Sequence, residues 1–327
     1  MKAVVVSEPG GPDKLELVDL PDPTPGPTEV AIEIHASALN RADLLQRRGL
    51  YPPPPGTTNI LGLECAGVVR ELGPSCSGSV RVGDRVMVLL GGGGYAERVV
   101  VPEALLMKVP SALSLEQAAA IPEAFLTARE VLFAVGRLCS TESVLIHAAA
   151  GGVGSAAVQL AHRRGARVFA TAGGVAKSEW VRALGADRVI DYKSEDFAAV
   201  IQAETQGRGV DVIVDFVGAA YAEQHAACLA PRGRQVVVGV MGGAQASINL
   251  GRLLQRRQSL LGVVMRSRST PEKIELTRAF VRSTLPLFAD GRLKPLVDSV
   301  FPLSEVARAH QRMEANENLG KIVLRVR

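Results

Sequence analysis

The chain has 327 residues, of which 47% are hydrophobic and 21% are charged, and its formal net charge is +4. This length suits two domains that each bury a core, and the composition excludes a disordered or fibrous protein. Aromatic residues make up 4% of the chain, too few for base stacking, so we expect no nucleic-acid partner. The densest basic stretch, 252–268, is broken by Leu, Gly and Val and is expected to form a solvated rim.

The four cysteines are widely spaced and form no CxxC pair. This spacing predicts neither a zinc knuckle nor a disulfide framework, so we expect reduced thiols in a cytoplasmic protein. No stretch approaches 18 uninterrupted apolar residues, and we therefore expect no membrane span.

Residues 1–122 predict a β-rich domain with many turns. Short β-branched runs at 4–6, 29–35 and 65–71 are separated by breaks rich in Pro and Gly. The tail, 269–327, is expected to complete this domain. It should begin with a helix in which Thr270 is the capping hydroxyl and Pro271 takes the first position.

Residues 123–268 alternate short apolar runs with helical stretches. Strands are predicted at 143–147, 167–171, 188–190, 211–215, 235–239 and 259–264. Parallel neighbours need a crossover helix, so this pattern predicts a doubly wound parallel sheet of the Rossmann type and an α/β fold class. A β-rich first part, an inserted α/β part and a returning tail suggest a cleft between two domains.

A glycine turn joins the first of these strands to its helix. It reads as A-x-G-x-x-G from Ala149, with alanine in place of the first glycine. Gly151 lets the backbone approach a pyrophosphate and Gly154 lets the helix pack closely on the sheet, with helix amides facing the phosphates. Glycines also fill ordinary turns, but the six-strand pattern favours dinucleotide binding by Ala150, Gly151, Gly152, Val153 and Gly154.

The end of the second strand indicates which dinucleotide is bound. NAD sites commonly place a carboxylate there for the ribose hydroxyls, whereas this chain has Thr171 and Gly173 in a run without acids. Lys177 opens the next helix and can neutralise a 2′-phosphate, and Tyr192 can enclose it. Lys177 alone would be an exposed helix residue, but together with the missing acid it favours NADPH.

Ligands of such sheets bind outside the carboxyl ends of the strands. Val217 follows the fourth strand, and Gly239 and Met241 follow the fifth. All three are expected to contact the cofactor.

This organisation resembles the medium-chain dehydrogenase/reductase superfamily and, within it, the zinc-free quinone oxidoreductases. The resemblance covers nearly the whole chain and is carried by segments 37–44, 51–56, 60–64, 118–122, 147–154, 313–316 and 320–323. Segments 40–44, 51–56 and 240–243 look most like the tumour-suppressor-inducible quinone oxidoreductase subgroup. The resemblance implies a GroES-like catalytic domain beside the Rossmann domain. It also implies a homodimer through the edge strand from Ser259 to Val264.

Zinc alcohol dehydrogenases of the same superfamily are the main rival. They need a Cys near Asn40 and a His where Leu63 stands, and neither residue present can bind a catalytic zinc. Unactivated alcohols need a Lewis acid, whereas quinones and enones accept hydride readily. The resemblance therefore implies zinc-independent, NADPH-dependent reduction of quinones. The alternatives are an enone or 2-enoyl thioester reductase, or a non-catalytic NADPH-binding protein.

The resemblance also assigns site residues. Asn40 is similar to an amide that bonds near the nicotinamide ribose and the substrate, and Tyr51 to a loop tyrosine over the substrate, so both are expected to be catalytic. Thr127 is similar to a residue lining the nicotinamide pocket, although a helix-interior threonine fits equally well. Asn318 and Lys321 are expected to close the cleft over the cofactor, unless they are simple surface residues.

Two further polar residues are expected to be structural. Glu64 should order the wall beside Asn40. His147 ends an apolar strand, where a hydrogen-bonded core histidine is the common case.

Overall fold

The computed structural model describes all 327 residues, and they divide into two compact units. Unit 1 comprises Met1–Leu126 and Met265–Arg327, and unit 2 comprises Thr127–Val264. Each unit has a large sheet of its own.

The secondary structure follows the chain in this order. The strands are β1 (Lys2–Val6), β2 (Leu15–Asp19), β3 (Glu29–Ala38), β4 (Glu64–Leu72), β5 (Arg85–Leu89), β6 (Arg98–Pro102), β7 (Met107–Lys108), β8 (Ser143–Ile146), β9 (Arg167–Ala172), β10 (Arg188–Asp191), β11 (Val210–Asp215), β12 (Leu229–Val237), β13 (Ser259–Gly262), β14 (Val297–Pro302) and β15 (Lys321–Arg325). The α-helices are α1 (Arg41–Arg47), α2 (Leu115–Ala119), α3 (Pro122–Arg129), α4 (Gly152–Arg164), α5 (Val175–Ala183), α6 (Phe197–Glu204), α7 (Ala222–Cys228), α8 (Leu250–Arg256), α9 (Thr270–Ser283), α10 (Pro286–Ala289) and α11 (Val306–Glu314).

Unit 1 is organised around the long strand β3. Its main sheet has the order β14-β15-β3-β4-β5-β7, and β6 also pairs with β3. Only β14 and β15 are parallel to each other. Because β15 pairs with the end of β3, the tail of the chain is an integral part of this sheet.

Alternation along the strands explains the core of unit 1. Val30, Ile32 and Ile34 of β3 point to one face and are fully buried there, as the period of two along a strand requires. Residues at alternate positions of β5 and β6 fill the same cluster. A continuous apolar layer therefore supports β3 and the loop that follows it.

The first helix of the tail begins one residue earlier than predicted. Ser269, not Thr270, is the N-cap: its side chain accepts a hydrogen bond from the Glu272 backbone, and the Glu272 carboxylate accepts one from Ser269 N. The prediction of Thr270 as the cap was wrong because either hydroxyl fits the pattern, and only Ser269 has the acid three residues later that closes a capping box.

Unit 2 is a six-stranded sheet in the order β10-β9-β8-β11-β12-β13. Every neighbouring pair is parallel, which is the doubly wound order with its switch point between β8 and β11. The predicted fold class is thereby confirmed. No helix anywhere in the chain combines the length and the apolar character that crossing a bilayer demands.

Candidate functional site

The glycine turn of unit 2 is packed tightly between β8 and α4. Ala149 N donates to Thr171 O at 3.0 Å, which fixes the turn to the end of β9. A Cβ on Gly154 would lie 2.3 Å from Ala148 O, so only glycine fits there. Ala148 itself has a positive φ of 47°, a strained conformation for alanine.

The residues predicted to hold the phosphates of a dinucleotide form this turn and the start of α4. Ala150 and Gly154 are buried, whereas Gly151, Gly152 and Val153 remain partly exposed. The first turn of an α-helix has amides without intrahelical partners, and a diphosphate is suited to accept from them. The donor set of the turn therefore fits a dinucleotide.

The predicted phosphate-binding residues gather at the end of β9. A Cβ on Gly173 would lie 2.7 Å from the Tyr192 hydroxyl, so the tyrosine, 48% exposed, lies directly over this glycine. Lys177 is partly buried in the first turn of α5. Asp191, which no sequence pattern marks, also lies here, and its carboxylate accepts hydrogen bonds from the backbone amides of Gly174 and Lys193 at 3.0 Å each. These hydrogen bonds lower the pKa of Asp191.

The loops after β11 and β12 are joined to each other. Val217 N donates to Asp215 Oδ1 at 2.8 Å, and Met241 N donates to Phe216 O at 3.1 Å. A Cβ on Gly239 would lie 3.2 Å from Phe216 O. The structure therefore brings Val217, Gly239 and Met241 together at the carboxyl end of the sheet.

His147 lies in a buried polar chain below these loops, which confirms its predicted core role. Its Nδ1 bonds to Thr171 Oγ1 at 3.0 Å and its Nε2 to His225 Nε2 at 2.9 Å. Gln235 Nε2 donates to Asp215 Oδ2 at 2.9 Å beside His225. Burial lowers the pKa of both histidines, so both rings are neutral at pH 7. The Thr171 hydroxyl is committed to this core.

In unit 1, Asn40 and Lys321 are joined through Glu64. Lys321 Nζ lies 2.7 Å from Glu64 Oε1, 2.6 Å from Asn40 Oδ1 and 2.6 Å from Leu39 O. Asn40 Nδ2 donates to Glu64 Oε1 at 2.9 Å and to Ala38 O at 3.2 Å. All three side chains are at most 9% exposed. We call Asn40, Glu64 and Lys321 the amide triad.

The hydrogen-bond inventory of the triad decides what it can offer a ligand. An ammonium has three N–H donors and an amide has two, and every one of them in Lys321 and Asn40 already has a protein acceptor. The second lone pair of Asn40 Oδ1 is not used by these bonds. Asn40 is thus a pure acceptor toward a ligand, and Lys321 has no donor left for one. Asn318 Nδ2 donates to Gly320 O at 2.8 Å, which leaves its second N–H and its Oδ1 for a ligand.

A second buried network anchors the helix that follows Asn40. Asp43 accepts hydrogen bonds from Asn40 N at 2.7 Å, Gly62 N at 3.1 Å and Tyr95 Oη at 3.2 Å. Burial raises the pKa of Asp43 to about 6 despite these donors. The network fixes the start of α1 and therefore the backbone of Asn40.

Tyr51 is held by an arginine that the sequence analysis misplaced. The Arg266 guanidinium lies 5.2 Å from the centre of the Tyr51 ring and donates to Tyr51 O at 3.2 Å. It also donates to Gly91 O at 2.8 Å and to Gln46 Oε1 at 2.7 Å. Arg266 is 5% exposed, so the prediction of a solvated rim was wrong at this residue. The acceptors that bury Arg266 are more than 170 residues away in the sequence, so the local sequence pattern around Arg266 does not predict its burial.

Burial raises the pKa of Tyr51, and the charge of Arg266 offsets this effect only in part. Tyr51 is therefore a neutral hydroxyl at pH 7. It can donate a hydrogen bond to an oxygen on which negative charge develops.

Two groups on helix α3 have unusual surroundings. Thr127 is 3% exposed and its hydroxyl has no hydrogen-bond partner, which is rare for a buried polar group and typical of one that a ligand completes. Glu123 is partly buried in the first turn, and its backbone N–H donates to Glu64 Oε2 at 2.8 Å. Burial, reinforced by the charge of Glu64, raises the pKa of Glu123 to about 8. An acid in a first turn is ordinary, so the sequence analysis passed over Glu123.

The donor set of unit 1 does not suit a catalytic zinc. No group of three or more His, Cys, Asp or Glu side chains is arranged to hold a metal ion. The lone-pair side of Asn40 Oδ1 already faces the Lys321 ammonium, which provides the positive charge beside Glu64.

Comparisons with known proteins agree with this geometry. Residues 26–111 match the alcohol dehydrogenase GroES-like domain, and residues 152–280 match the zinc-binding dehydrogenase family. The chain is 36% identical over 345 aligned positions to the synaptic vesicle membrane protein VAT-1 homolog of Rattus norvegicus, covering 99% of this chain and 84% of that protein.

Solved structures extend the likeness. An Escherichia coli quinone oxidoreductase complexed with NADPH is 31% identical, with a TM-score of 0.91, over 99% of this chain and 100% of that one. An NAD-dependent alcohol dehydrogenase is 36% identical, with a TM-score of 0.89, over all of both chains. The JamJ enoyl reductase is 28% identical, with a TM-score of 0.89, over 99% of this chain and 98% of that one. With a GroES-like domain, a doubly wound sheet and these relatives, the chain belongs to the medium-chain dehydrogenase/reductase superfamily of nicotinamide-dependent oxidoreductases.

Proposed function

We propose that this protein is a zinc-independent NADPH:quinone oxidoreductase. The observation that carries the proposal is the amide triad, in which the Asn40 amide stands where a zinc enzyme needs a thiolate ligand and the Lys321 ammonium binds the oxygen of that amide. Quinones need no Lewis acid to accept hydride. The similarity to a quinone oxidoreductase that binds NADPH supports the same function.

The residues of unit 1 have separate roles in this proposal. Bound NADPH supplies the hydride. Asn40 Oδ1 accepts a hydrogen bond from a ribose hydroxyl, because its N–H groups are already used. The Tyr51 hydroxyl donates a hydrogen bond to the quinone oxygen as negative charge develops there. The Arg266 guanidinium packs against the Tyr51 ring and holds it in place. Lys321 and Glu64 orient Asn40 and touch no ligand.

The test is a turnover assay with purified protein, NADPH and a panel of ortho- and para-quinones, followed at the nicotinamide absorbance band with and without a chelator. We expect turnover that the chelator does not change. Tyr51→Phe should lower kcat/KM about tenfold or more. Tyr221→Phe is the matched control, because that ring packs on His147 and Phe197 far along the chain from Tyr51. Tight NADPH binding without turnover of any quinone would refute the proposal.

NADPH is the proposed cofactor because Tyr192 lies over Gly173, Lys177 lies in the first turn of α5, and the Asp191 carboxylate is bound to backbone amides. Lys177→Ala should raise the KM for NADPH about tenfold, the loss expected for a charge-assisted hydrogen bond, and leave the KM for NADH unchanged. Arg182→Ala removes a cation from the exposed side of the same helix and serves as the control. Equal effects of Lys177→Ala on both cofactors would contradict the assignment.

The second candidate is reduction of an enone or a 2-enoyl thioester, favoured by the similarity to an enoyl reductase. The same hydride donor and the same Tyr51 hydroxyl serve that reaction. A crotonyl thioester in the NADPH turnover assay distinguishes the two candidate reactions. A kcat/KM for the thioester above that for every quinone would make the enoyl group the substrate. Binding of NADPH with neither reaction would indicate a non-catalytic protein.

We also propose a homodimer through β13, the edge strand that pairs only with β12. Leu260 on this strand is 45% exposed and Val264 beyond it 47%, and unpaired edges favour strand addition. Light scattering at micromolar concentration should give the dimer mass, and Leu260→Lys should give the monomer. Leu17→Lys, at a leucine 42% exposed on β2, should leave the mass unchanged. A monomeric wild type would refute the dimer.

A cytoplasmic location is part of the proposal. All four cysteines are free, and Cys65 and Cys228 are buried, as expected where thiols stay reduced. Cell fractionation followed by immunoblotting tests it, and recovery with the membrane fraction would contradict it.

A further inference from the structure

The carboxyl group of Glu123 is partly buried at the start of helix α3. It accepts no hydrogen bond from any protein group, whereas Asp43 and Glu64 each accept several. Its backbone is fixed, because Glu123 N donates to Glu64 Oε2. The chain therefore holds this carboxyl in place at the backbone and leaves its oxygens without a partner.

Glu123 lies close to the groups proposed to handle the substrate. Its charge acts on Tyr51, Arg266 and Lys273, and the ammonium of Lys273 is fixed by donation to Arg266 O at 2.8 Å. On its own helix, Thr127 is four residues later, which places both side chains on one face about one turn apart. Thr127 is the residue whose buried hydroxyl lacks a partner.

Charges on several elements determine whether Glu123 is ionised. Glu64 on β4 and Asp43 on α1 disfavour the carboxylate, while Lys321 on β15 and Lys273 on α9 favour it. Burial is the largest effect and disfavours it. Glu123 therefore carries its proton at pH 7 and can donate it.

We propose that Glu123 is the acid that protonates the reduced substrate. This inference rests on the proposed reductase function. Transfer of hydride to a quinone puts two electrons and one hydrogen on it and gives a hydroquinone monoanion. The O–H bond of Glu123 then breaks, its proton forms the second O–H bond of the hydroquinone, and the carboxylate regains a proton from water.

The first test follows kcat with NADPH and a para-quinone from pH 6 to pH 10. Wild-type kcat should fall as the pH rises through about 8, because Glu123 loses its proton there. Glu123→Gln should lower kcat at pH 7 by about 100-fold, the usual contribution of a general acid, and its profile should no longer fall near pH 8. Glu123→Asp should keep the fall with an intermediate kcat.

Two controls isolate the effect. Glu116→Gln changes another first-turn glutamate, one that pairs with Arg325 on the surface, and should behave as wild type. Lys273→Met removes a nearby ammonium whose pKa burial lowers. If the fall near pH 8 survives in Glu123→Gln and disappears in Lys273→Met, the acid is not Glu123.

A second test needs no turnover and so separates this inference from the proposed function. A carboxyl whose pKa is higher in the folded than in the unfolded state binds more protons when folded, so it lowers stability as the pH rises from about 4.3 to about 8. Glu123→Gln should therefore melt at a higher temperature than wild type at pH 9 and at the same temperature at pH 4. An equal difference in melting temperature between Glu123→Gln and wild type at pH 4 and at pH 9 would overturn the inference even if quinones are reduced. Absence of quinone turnover with the stability difference intact would overturn quinone reduction, and the protonated state of Glu123 alone would stand.

Discussion

Replacing Lys321 by methionine should destabilise the protein strongly, because it leaves the Glu64 carboxylate buried without a countercharge. Lys321 is 4% exposed, Glu64 is fully buried, and Nζ lies 2.7 Å from Oε1. Breaking a buried ion pair by removing one partner costs about 3–5 kcal/mol. For a unit of this size that corresponds to a fall in Tm of roughly 6–20 °C.

The assay is urea and thermal unfolding of wild type, Lys321→Met, Glu64→Gln and the double variant. The double variant should recover at least about 1 kcal/mol relative to Lys321→Met, since it removes the uncompensated charge and keeps an acceptor for Asn40. Lys2→Met is the matched control. It breaks the surface pair with Asp19, whose side chains are 54% and 80% exposed, and should cost less than about 1 kcal/mol. A Lys321→Met variant within about 0.5 kcal/mol of wild type would refute the expected cost of breaking this buried pair.

Three further substitutions each test one residue. Gly154→Ala should abolish saturable NADPH binding in a fluorescence titration, because its Cβ would lie 2.3 Å from Ala148 O. Gly251→Ala in helix α8 is the control and should bind NADPH normally, because its Cβ would meet only Asn249 Oδ1, at 3.4 Å. Arg266→Lys should raise the quinone KM several-fold and leave the NADPH KM unchanged. Lysine cannot make the planar contacts that the Arg266 guanidinium makes with Tyr51, Gly91 and Gln46. Wild-type kinetics in this variant would show that these contacts are dispensable. Burial raises the pKa of Glu103, but hydrogen bonds from Ser77 and Ser79 outweigh it and lower the pKa to about 2. The stability advantage of wild type over Glu103→Gln should therefore be present above about pH 4.3 and disappear as the pH falls toward 2, and a constant gap in urea unfolding would contradict this.

The sequence by itself determined the fold class and the location of the dinucleotide turn. Strand and helix patterns are local, because they depend on the periodicity of apolar residues and on turn residues within a few positions. The six strands of unit 2 therefore lie where they were predicted, within two residues at each end except that β12 begins six residues earlier than predicted. Gly154 was recognised for the same reason, since its close packing involves Ala148 only six residues away.

The tertiary structure alone decided which polar side chains meet. Lys321 reaches Asn40 from the far end of the chain, and Arg266 reaches Tyr51 across more than 200 residues. The Lys321–Asn40 contact depends on the pairing of β15 with β3, and no local periodicity of the sequence predicts which distant strands pair. Protonation states belong to the same category, because the pKa of Glu123 depends on burial and on charges from four separate elements. Glutamate at the start of a helix looks ordinary in sequence, and only its surroundings make it an acid at neutral pH.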